Sequence, residues 1–303
     1  MREVDVIAFI RRRYGLTDID SIIPVGNHKL NRNRVYRFEK DNKHYIFKLS
    51  ISKYKWENEI KAHRLLKELQ FVPATLDYGE FDELQFQLMD RKEGRRLLIY
   101  WNKVNNKAKR NIVNQMGISI ASIHNMHEYD HYGWWEKSKG FSDIIEYRQY
   151  KDQIIIDRLI GCELYENKTI MSGIENIPEL RSQLKNEKST IVHRDFSIRN
   201  IIIKGNAVTG VVDFEHSRPD DPVIDFCTIL QTDMLDDEEL MKSFYDGYTS
   251  IRKFPANFSD NKAYYFIITG LYICSKFDYR KDDLNRGLFL IEKGLDYLEA
   301  SKK

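Results

Sequence analysis

The polar and apolar positions divide the chain into a strand-rich first part and a mainly helical remainder. Residues 3–14 place Val6, Ile7 and Ile10 on one side, the pattern of a short amphipathic helix. Residues 34–39 and 43–49 alternate with period two around Asp41-Asn42, which predicts a hairpin. Residues 53–69 return to helical spacing, Phe71-Val72-Pro73-Ala74 closes that helix, and residues 75–78 and 84–89 read as further strands. From Lys103 onward the period is helical, with Ile112, Met116, Ile120, Ile123 and His124 as one stripe. Residues 141–166 are helical and rich in Tyr and Ile. Arg218 to Asp225 reads as a bend and then a helix start, and residues 244–248 and 264–298 close the chain as helices.

One stretch breaks this helical remainder. Thr190 to His216 reads TIVHRDFSIRNIIIKGNAVTGVVDFEH: an apolar pair Ile191-Val192, a polar loop from His193 to Asn200, a run Ile201 to Ile203, a turn Lys204-Gly205-Asn206-Ala207, and a run Val208 to Val212. Short β-branched runs around Gly-Asn predict a tight hairpin. Asn200 then stands where the hairpin begins and Asp213 where it ends, so pairing brings them together, with Asp195 in reach on the preceding loop. Alone, any of these residues is most often a cap or an Asx-turn. Jointly, two Asp and an Asn at a hairpin mouth make an oxygen-rich set of the kind that suits Mg²⁺.

Composition narrows the function classes. The chain has 303 residues, enough for one large domain or two lobes, and 48 basic against 46 acidic residues give a net charge of +2. That balance gives no case for nucleic acid as a partner. Arg11-Arg12-Arg13 reads as the solvated side of the first helix. The acidic stretch Asp233, Asp236, Asp237, Glu238 and Glu239 reads as a solvated face, with attraction of a polyamine as the alternative. Cys162, Cys227 and Cys274 are widely spaced, as free thiols in a reducing compartment would be. His124, His127 and His131 lack the Cys or carboxylate spacing of a zinc site. No apolar leader and no membrane-length run is present, so the expectation is a soluble cytoplasmic protein with no membrane partner.

Lys48 closes an apolar strand and shares a face with His44 and Ile46. The blander reading is a snorkelling surface lysine. In the helix that follows, Glu59 falls on the stripe of Ala62, Leu66 and Leu69, while Glu57 points almost oppositely. A carboxylate on a buried stripe needs a partner, and Glu59 with Lys48 is the pairing chosen, Glu57 being the surface alternative. Asp90-Arg91-Lys92-Glu93-Gly94 reads as an exposed polar turn.

The sequence His193-Arg194-Asp195-Phe196 followed by Asn200, then Asp213-Phe214-Glu215, matches the spacing of the protein-kinase catalytic loop and D-F-G segment. With Glu in the third position and no A-P-E segment, it resembles instead the aminoglycoside phosphotransferases, small-molecule kinases that share the kinase fold. The resemblance implies an α+β, two-lobed fold: a nucleotide-binding N-lobe over residues 1–90 with a small antiparallel sheet, and a mainly helical C-lobe over residues 91–303 that is catalytic and acceptor-binding. It implies transfer of the γ-phosphoryl of ATP or GTP to a hydroxyl of a small molecule. Asp195 would take or orient the hydroxyl proton, and Asn200 and Asp213 would hold Mg²⁺. Lys48, positioned by Glu59, would steady the α- and β-phosphates. Asp90 and Arg91 would lie in the linker whose backbone meets the purine, and Asp225 would brace the catalytic loop. The phosphate-covering stretch, Val25 to Tyr36, carries one glycine where the kinase loop has three.

The first acceptor implied is an aminoglycoside, and with it a role in antibiotic resistance. Macrolides, choline, homoserine and thiamine are acceptors of related folds. A nucleotide-binding pseudokinase is the reading from a different class, and a metal-dependent nuclease is a remote third, since no basic stripe flanks the carboxylates.

Overall fold

A computed structural model of the chain describes residues 2–17, 21–26, 33–185, 188–229, 237–276 and 283–301. In chain order the elements are α1 (Glu3–Tyr14), β1 (Ile23–Val25), β2 (Arg34–Lys40), β3 (Lys43–Ser50), α2 (Lys53–Leu65), β4 (Thr75–Phe81), β5 (Leu84–Asp90), β6 (Arg95–Arg96) and α3 (Leu97–Tyr100). There follow α4 (Asn106–Asn125), β7 (Glu128–Tyr129), α5 (Ile144–Ile160), α6 (Lys168–Ser182), β8 (Ser189–Val192), β9 (Ile201–Lys204), β10 (Ala207–Val211), β11 (Arg218–Asp220), α7 (Val223–Ile229), α8 (Glu238–Thr249), α9 (Phe258–Cys274) and α10 (Leu284–Ser301). The chain forms two compact units. The first comprises residues 1–99 with 200–217, the second residues 100–199 with 218–303.

The first unit is built on a five-stranded antiparallel sheet in the order β1-β2-β3-β5-β4. Asp41 and Asn42 both take positive φ (52° and 59°), the backbone of the two-residue turn that joins β2 to β3. One face of the sheet presents Tyr36, Phe38, Phe47, Leu49, Phe86 and Leu88, and α1 covers it with Val6 and Ile10. Phe9 of α1 stacks on Phe81 at 4.1 Å between ring centroids and meets Phe86 edge-on at 5.3 Å. Because side chains alternate, Lys48 between Phe47 and Leu49 is turned to the opposite face. The α2 helix ends at Leu65, four residues short of the span the pattern suggests, because the chain leaves the helix through turns over residues 66–71. The β9–β10 hairpin, with its turn at Gly205-Asn206, forms a separate three-stranded sheet with β6.

The second unit is mainly helical, with its core on α9, whose Tyr264, Tyr265, Phe266, Ile267 and Leu271 are buried among residues of α5, α6, α7 and α10. The predicted stripe of α4 is buried in full. Where α4 meets α8 the backbones approach closely: a Cβ on Gly117 would stand 2.3 Å from the carbonyl oxygen of Phe244, and one on Gly247 would stand 2.0 Å from that of Asn114.

In three places the structure adds to or alters the pattern. Ile191-Val192, which the pattern left without a partner, lies in β8, which pairs with β7 and β11 in a sheet of its own. Arg218-Pro219-Asp220, read as a bend, is the edge strand β11, where Pro219 needs no ladder donor. Residues 168–182 form α6 although Pro178 sits inside it, a segment to which the pattern gave no element. Residues 27–32, within the stretch Val25 to Tyr36 that was expected to cover phosphate, and the acidic residues Asp233 and Asp236 lie outside the described residues.

Candidate active site

In the first unit, three of the singled-out positions come together, with Glu215 as a fourth member of the cluster. Lys48 Nζ donates to Glu59 Oε2 at 2.8 Å and to Asp213 Oδ1 at 2.8 Å, and it lies 3.4 Å from Glu215 Oε2. The lysine and Glu59 are buried, whereas the Asp213 side chain is 40% exposed. Of the two helix carboxylates, Glu59 faces the strand and Glu57 does not join the cluster. The hairpin delivers Asp213 by backbone pairing: Val212 N–H donates to the Asn200 carbonyl at 3.0 Å, so the chain on either side of the hairpin is clamped beside Asn200. Asp213 itself has φ 72°, a conformation that aspartate tolerates better than most residues and that marks a constrained position. Phe214 is fully buried and meets the ring of His63 edge-on.

Around Lys48 one ammonium faces three carboxylates, and Glu215 has Lys55 as a second cation. Burial alone would push the Lys48 ammonium toward the neutral amine, but Asp213, Glu59 and Glu215 outweigh it and hold its pKa well above that of an ordinary lysine. Glu59 is pushed up to about 7 by burial, against the pull of Lys48, with Asp213 and Glu215 adding repulsion. Glu215 moves the other way. Burial and Asp213 oppose its charge, yet Lys48, Lys55 and His216 together keep its pKa below the ordinary glutamate value.

Glu215 is the residue that motif reading passed over. Its Oε1 accepts from Lys55 at 2.7 Å, its Oε2 accepts from the Asn33 amide at 2.6 Å, and its carbonyl accepts from Asn58 at 3.3 Å. The available signal was the replacement of the expected glycine by a residue that brings a carboxylate beside the strand lysine.

Asp90 and Arg91 are placed apart from the lysine. Asp90 Oδ1 accepts from the Ala74 N–H and Oδ2 lies 2.9 Å from Lys92, while Arg91 N–H donates to the His44 carbonyl at 3.0 Å. Arg91 also lines a pocket of about 320 Å³ with His44, Glu93, Gly94, Arg95 and Lys204.

In the second unit the loop after β8 is held by Asp225, fully buried at the start of α7. Its carboxylate accepts from the backbone N–H of His193 (2.7 Å) and of Arg194 (2.6 Å) and lies 3.1 Å from His124 Nε2. His124 Nδ1 meets the Tyr248 hydroxyl at 3.0 Å, and burial pushes the imidazole down, away from its charged form. Both ring nitrogens are thereby engaged as packing partners. Arg194 takes φ 66°, turning the chain so that Asp195 follows. Asp195 N–H donates to His193 Nδ1 at 3.2 Å, and Arg199 lies 3.2 Å from its Oδ1. Arg199, four residues on, was not singled out in the sequence.

Among the described residues no group of three or more His, Cys, Asp or Glu is disposed to hold a metal ion. Asn200 and Asp213 offer an amide and a carboxylate. That set fits a cation drawing its remaining ligands from phosphate and water, as Mg²⁺ does, and does not fit a closed protein cage. Cys227 and Cys274 are buried, Cys162 is half-buried, and none of the three is in a disulfide. Among the described residues no helix is long and apolar enough to cross a membrane.

Solved structures with the same architecture are aminoglycoside phosphotransferases. A thermostable mutant of APH(4)-Ia in ternary complex with AMP-PNP and hygromycin B superposes with a TM-score of 0.74 at 14% identity, covering 96% of this chain and 98% of that one. A second structure of APH(4)-Ia gives 0.73 at 13% identity over 98% and 99% of the two chains. The gentamicin complex of APH(2")-IIa gives 0.67 at 17% over 96% of each. At these identities the likeness is one of fold, and it defines an α+β protein of the kinase-like class. In sequence, the phosphotransferase enzyme family (APH) matches residues 26–256, which takes in α2, the central hairpin and α7. The chain belongs to that family. No curated protein matches it in sequence.

Proposed function

We propose that the protein transfers the γ-phosphoryl group of ATP or GTP to a hydroxyl of a small molecule. The observation that carries this reading is the shared ammonium of Lys48, joined at 2.8 Å to a buried helix carboxylate and at 2.8 Å to the half-exposed carboxylate that ends the hairpin. A surface lysine would have neither partner. In phosphoryl transfer the protein does little covalent chemistry and acts by positioning and by neutralising charge. Lys48, oriented by Glu59, steadies the α- and β-phosphates. Asn200 and Asp213 would hold Mg²⁺, which when bound would supply positive charge to offset that of the phosphates. Asp195 receives the proton of the acceptor hydroxyl as its oxygen bonds to the γ-phosphorus and the bond to the nucleoside diphosphate breaks. Residues 1–90 serve the nucleotide and residues 91–303 serve catalysis and the acceptor, with Asp90 and Arg91 on either side of the boundary, in the linker whose backbone meets the purine.

The likeness of fold makes an aminoglycoside the first acceptor to offer, with macrolides, choline, homoserine and thiamine as the same reaction on other hydroxyls. Release of nucleoside diphosphate from Mg-ATP and Mg-GTP is to be followed across that panel. Acceptor-stimulated release is the expected result. A nucleotide that binds without any acceptor stimulating release points to a pseudokinase, and failure to bind nucleotide in the presence of Mg²⁺ removes the reading altogether.

A further inference from the structure

The steps assigned to Asp195, Lys48 and Asp213 leave Glu215 without a task, although it stands where the protein-kinase motif has glycine. Its side chain is only 12% exposed. Oε1 accepts from Lys55 of α2 at 2.7 Å and lies 3.5 Å from His216 Nε2. Oε2 accepts from the Asn33 amide at 2.6 Å and lies 3.4 Å from Lys48 Nζ. Asn58 of α2 donates to the backbone carbonyl at 3.3 Å, so main chain and side chain are both fixed.

Asn33 is the informative partner. It is the residue before β2 and lies in the stretch Val25 to Tyr36 that was expected to cover phosphate. Its Nδ2 donates to Glu215, and its Oδ1 accepts from the N–H of Ile51, just past β3, at 3.3 Å. Both halves of one amide are thus engaged. One is held beside the strand that carries Lys48, the other by the segment that follows Asp213. Glycine at 215 would reach neither Asn33 nor Lys55.

A glycine-rich loop holds phosphate through its own backbone N–H groups. The stretch Val25 to Tyr36 has a single glycine, Gly26. A loop of that composition needs another means of being fixed, and an N–H donated to an ionised carboxylate is among the stronger hydrogen bonds.

We propose that Glu215 is a positioning residue for the nucleotide: through Asn33 it anchors the stretch expected to cover phosphate to the Lys48–Asp213 cluster. This rests on the phosphotransferase reading and deepens it. Glu215 touches no reacting atom in this role. It fixes one point of the cover before the triphosphate binds, which removes part of the ordering cost from binding. Its effect falls on the phosphates and spares the nucleoside.

Binding of Mg-AMP-PNP and Mg-GMP-PNP to the full chain is measured by calorimetry, with adenosine and guanosine as their phosphate-free counterparts. The proteins are the wild type, Asn33→Ala, Glu215→Gly, Glu215→Gln and Asn33→Ala with Glu215→Gly, at limiting and at saturating Mg²⁺. Asn33→Ala cuts the tether and leaves Glu215 its contacts with Lys48 and Lys55. Affinity for the triphosphate analogue should fall about tenfold, the contribution of one hydrogen bond to a charged group, and nucleoside affinity should not change. Glu215→Gly should weaken the analogue at least as much. Adding Asn33→Ala to it should weaken binding no further, because the two act through one bond. Glu215→Gln, which keeps an oxygen for Asn33, should recover part of the loss.

Additive losses in the double variant, or equal losses for nucleoside and analogue, overturn the tether. So does a loss confined to the Glu215 variants and abolished by saturating Mg²⁺, which would place the carboxylate on the metal. Should Glu215→Gly not fold, Asn33→Ala decides alone: unchanged analogue affinity overturns the tether. If neither analogue binds the wild type, it is the kinase reading that fails.

Discussion

The ammonium of Lys48 stands 2.8 Å from Oδ1 of Asp213, although the two are 165 positions apart in the chain. A sheet strand supplies one and the end of a hairpin the other, and Glu59 holds the lysine from the far side. The lysine therefore neutralises the carboxylate that is proposed to meet Mg²⁺.

Replacing Lys48 by Met tests how far the cluster depends on that single cation. It leaves a buried carboxylate, Glu59, beside Asp213 and Glu215 without a counter-charge, and breaking such a buried pair costs about 3–5 kcal/mol. The cost should depend on pH. Glu59 in the fold is already raised above its ordinary value, so the folded state holds its proton more tightly than the unfolded chain. Stability from that protonation is complete below the unfolded pKa and is lost as pH rises through the folded one, about 7. Removing the lysine raises Glu59 further. Urea unfolding of Lys48→Met should show a large deficit at pH 8 that narrows at pH 5.5. An equal deficit at both values would mean that the lost term is packing and not charge.

Asp195→Ala should lower turnover by about 10²–10⁴-fold, the usual worth of a positioned acid or base. Nucleotide affinity should change little, since Lys48, Asn200 and Asp213 are untouched. Single-turnover phosphoryl transfer and nucleotide titration separate the two. Retained turnover would remove Asp195 from its role.

The amino-acid pattern made much of this legible, and for physical reasons. Strand alternation around Asp41-Asn42 and the helical stripe of α2 depend on local period alone, and they place Glu59 and not Glu57 against Lys48. The β9–β10 hairpin was legible because Gly-Asn turns and β-branched runs are local signals. What the pattern hid was set by contacts distant in sequence. The pairing of β8 with β11, the ion pair of Arg148 with Asp220, and the placing of Arg194 beside Tyr147 leave no periodic trace. Glu215 stood in plain view in the motif, but its partners Asn33 and Lys55 lie about 160–180 residues away. The α6 helix was hidden by Pro178, which the helix nonetheless contains.

Asp225→Asn probes the bracing of the loop that carries Asp195. The buried carboxylate takes both backbone N–H groups of His193 and Arg194, and it lies beside His124 as well. An amide has one oxygen for these donors and presents an NH₂ where an acceptor stood, so an N–H is left buried and unsatisfied. A loss of about 2–4 kcal/mol in stability is expected from that group. Turnover should fall with nucleotide affinity preserved, because the loop that is displaced carries Asp195. A variant as stable and as active as the parent would show that the brace is dispensable.

Gly247→Ala tests the close approach of α4 and α8, which carries no chemistry. An added methyl would stand 2.0 Å from the Asn114 carbonyl oxygen, a backbone atom that cannot swing away as a side chain would. In an ordinary helix interior the same change stabilises by about 0.5–1 kcal/mol, because alanine is the better helix former. Here the steric term opposes and exceeds it, as overpacking against fixed backbone costs about 1–3 kcal/mol. The midpoint of thermal unfolding should fall, and a Gly→Ala change at Gly161, where an added Cβ would meet only atoms 3.8 Å or farther away, should leave it nearly unmoved. A rise in midpoint for Gly247→Ala would mean that the two helices separate at little cost.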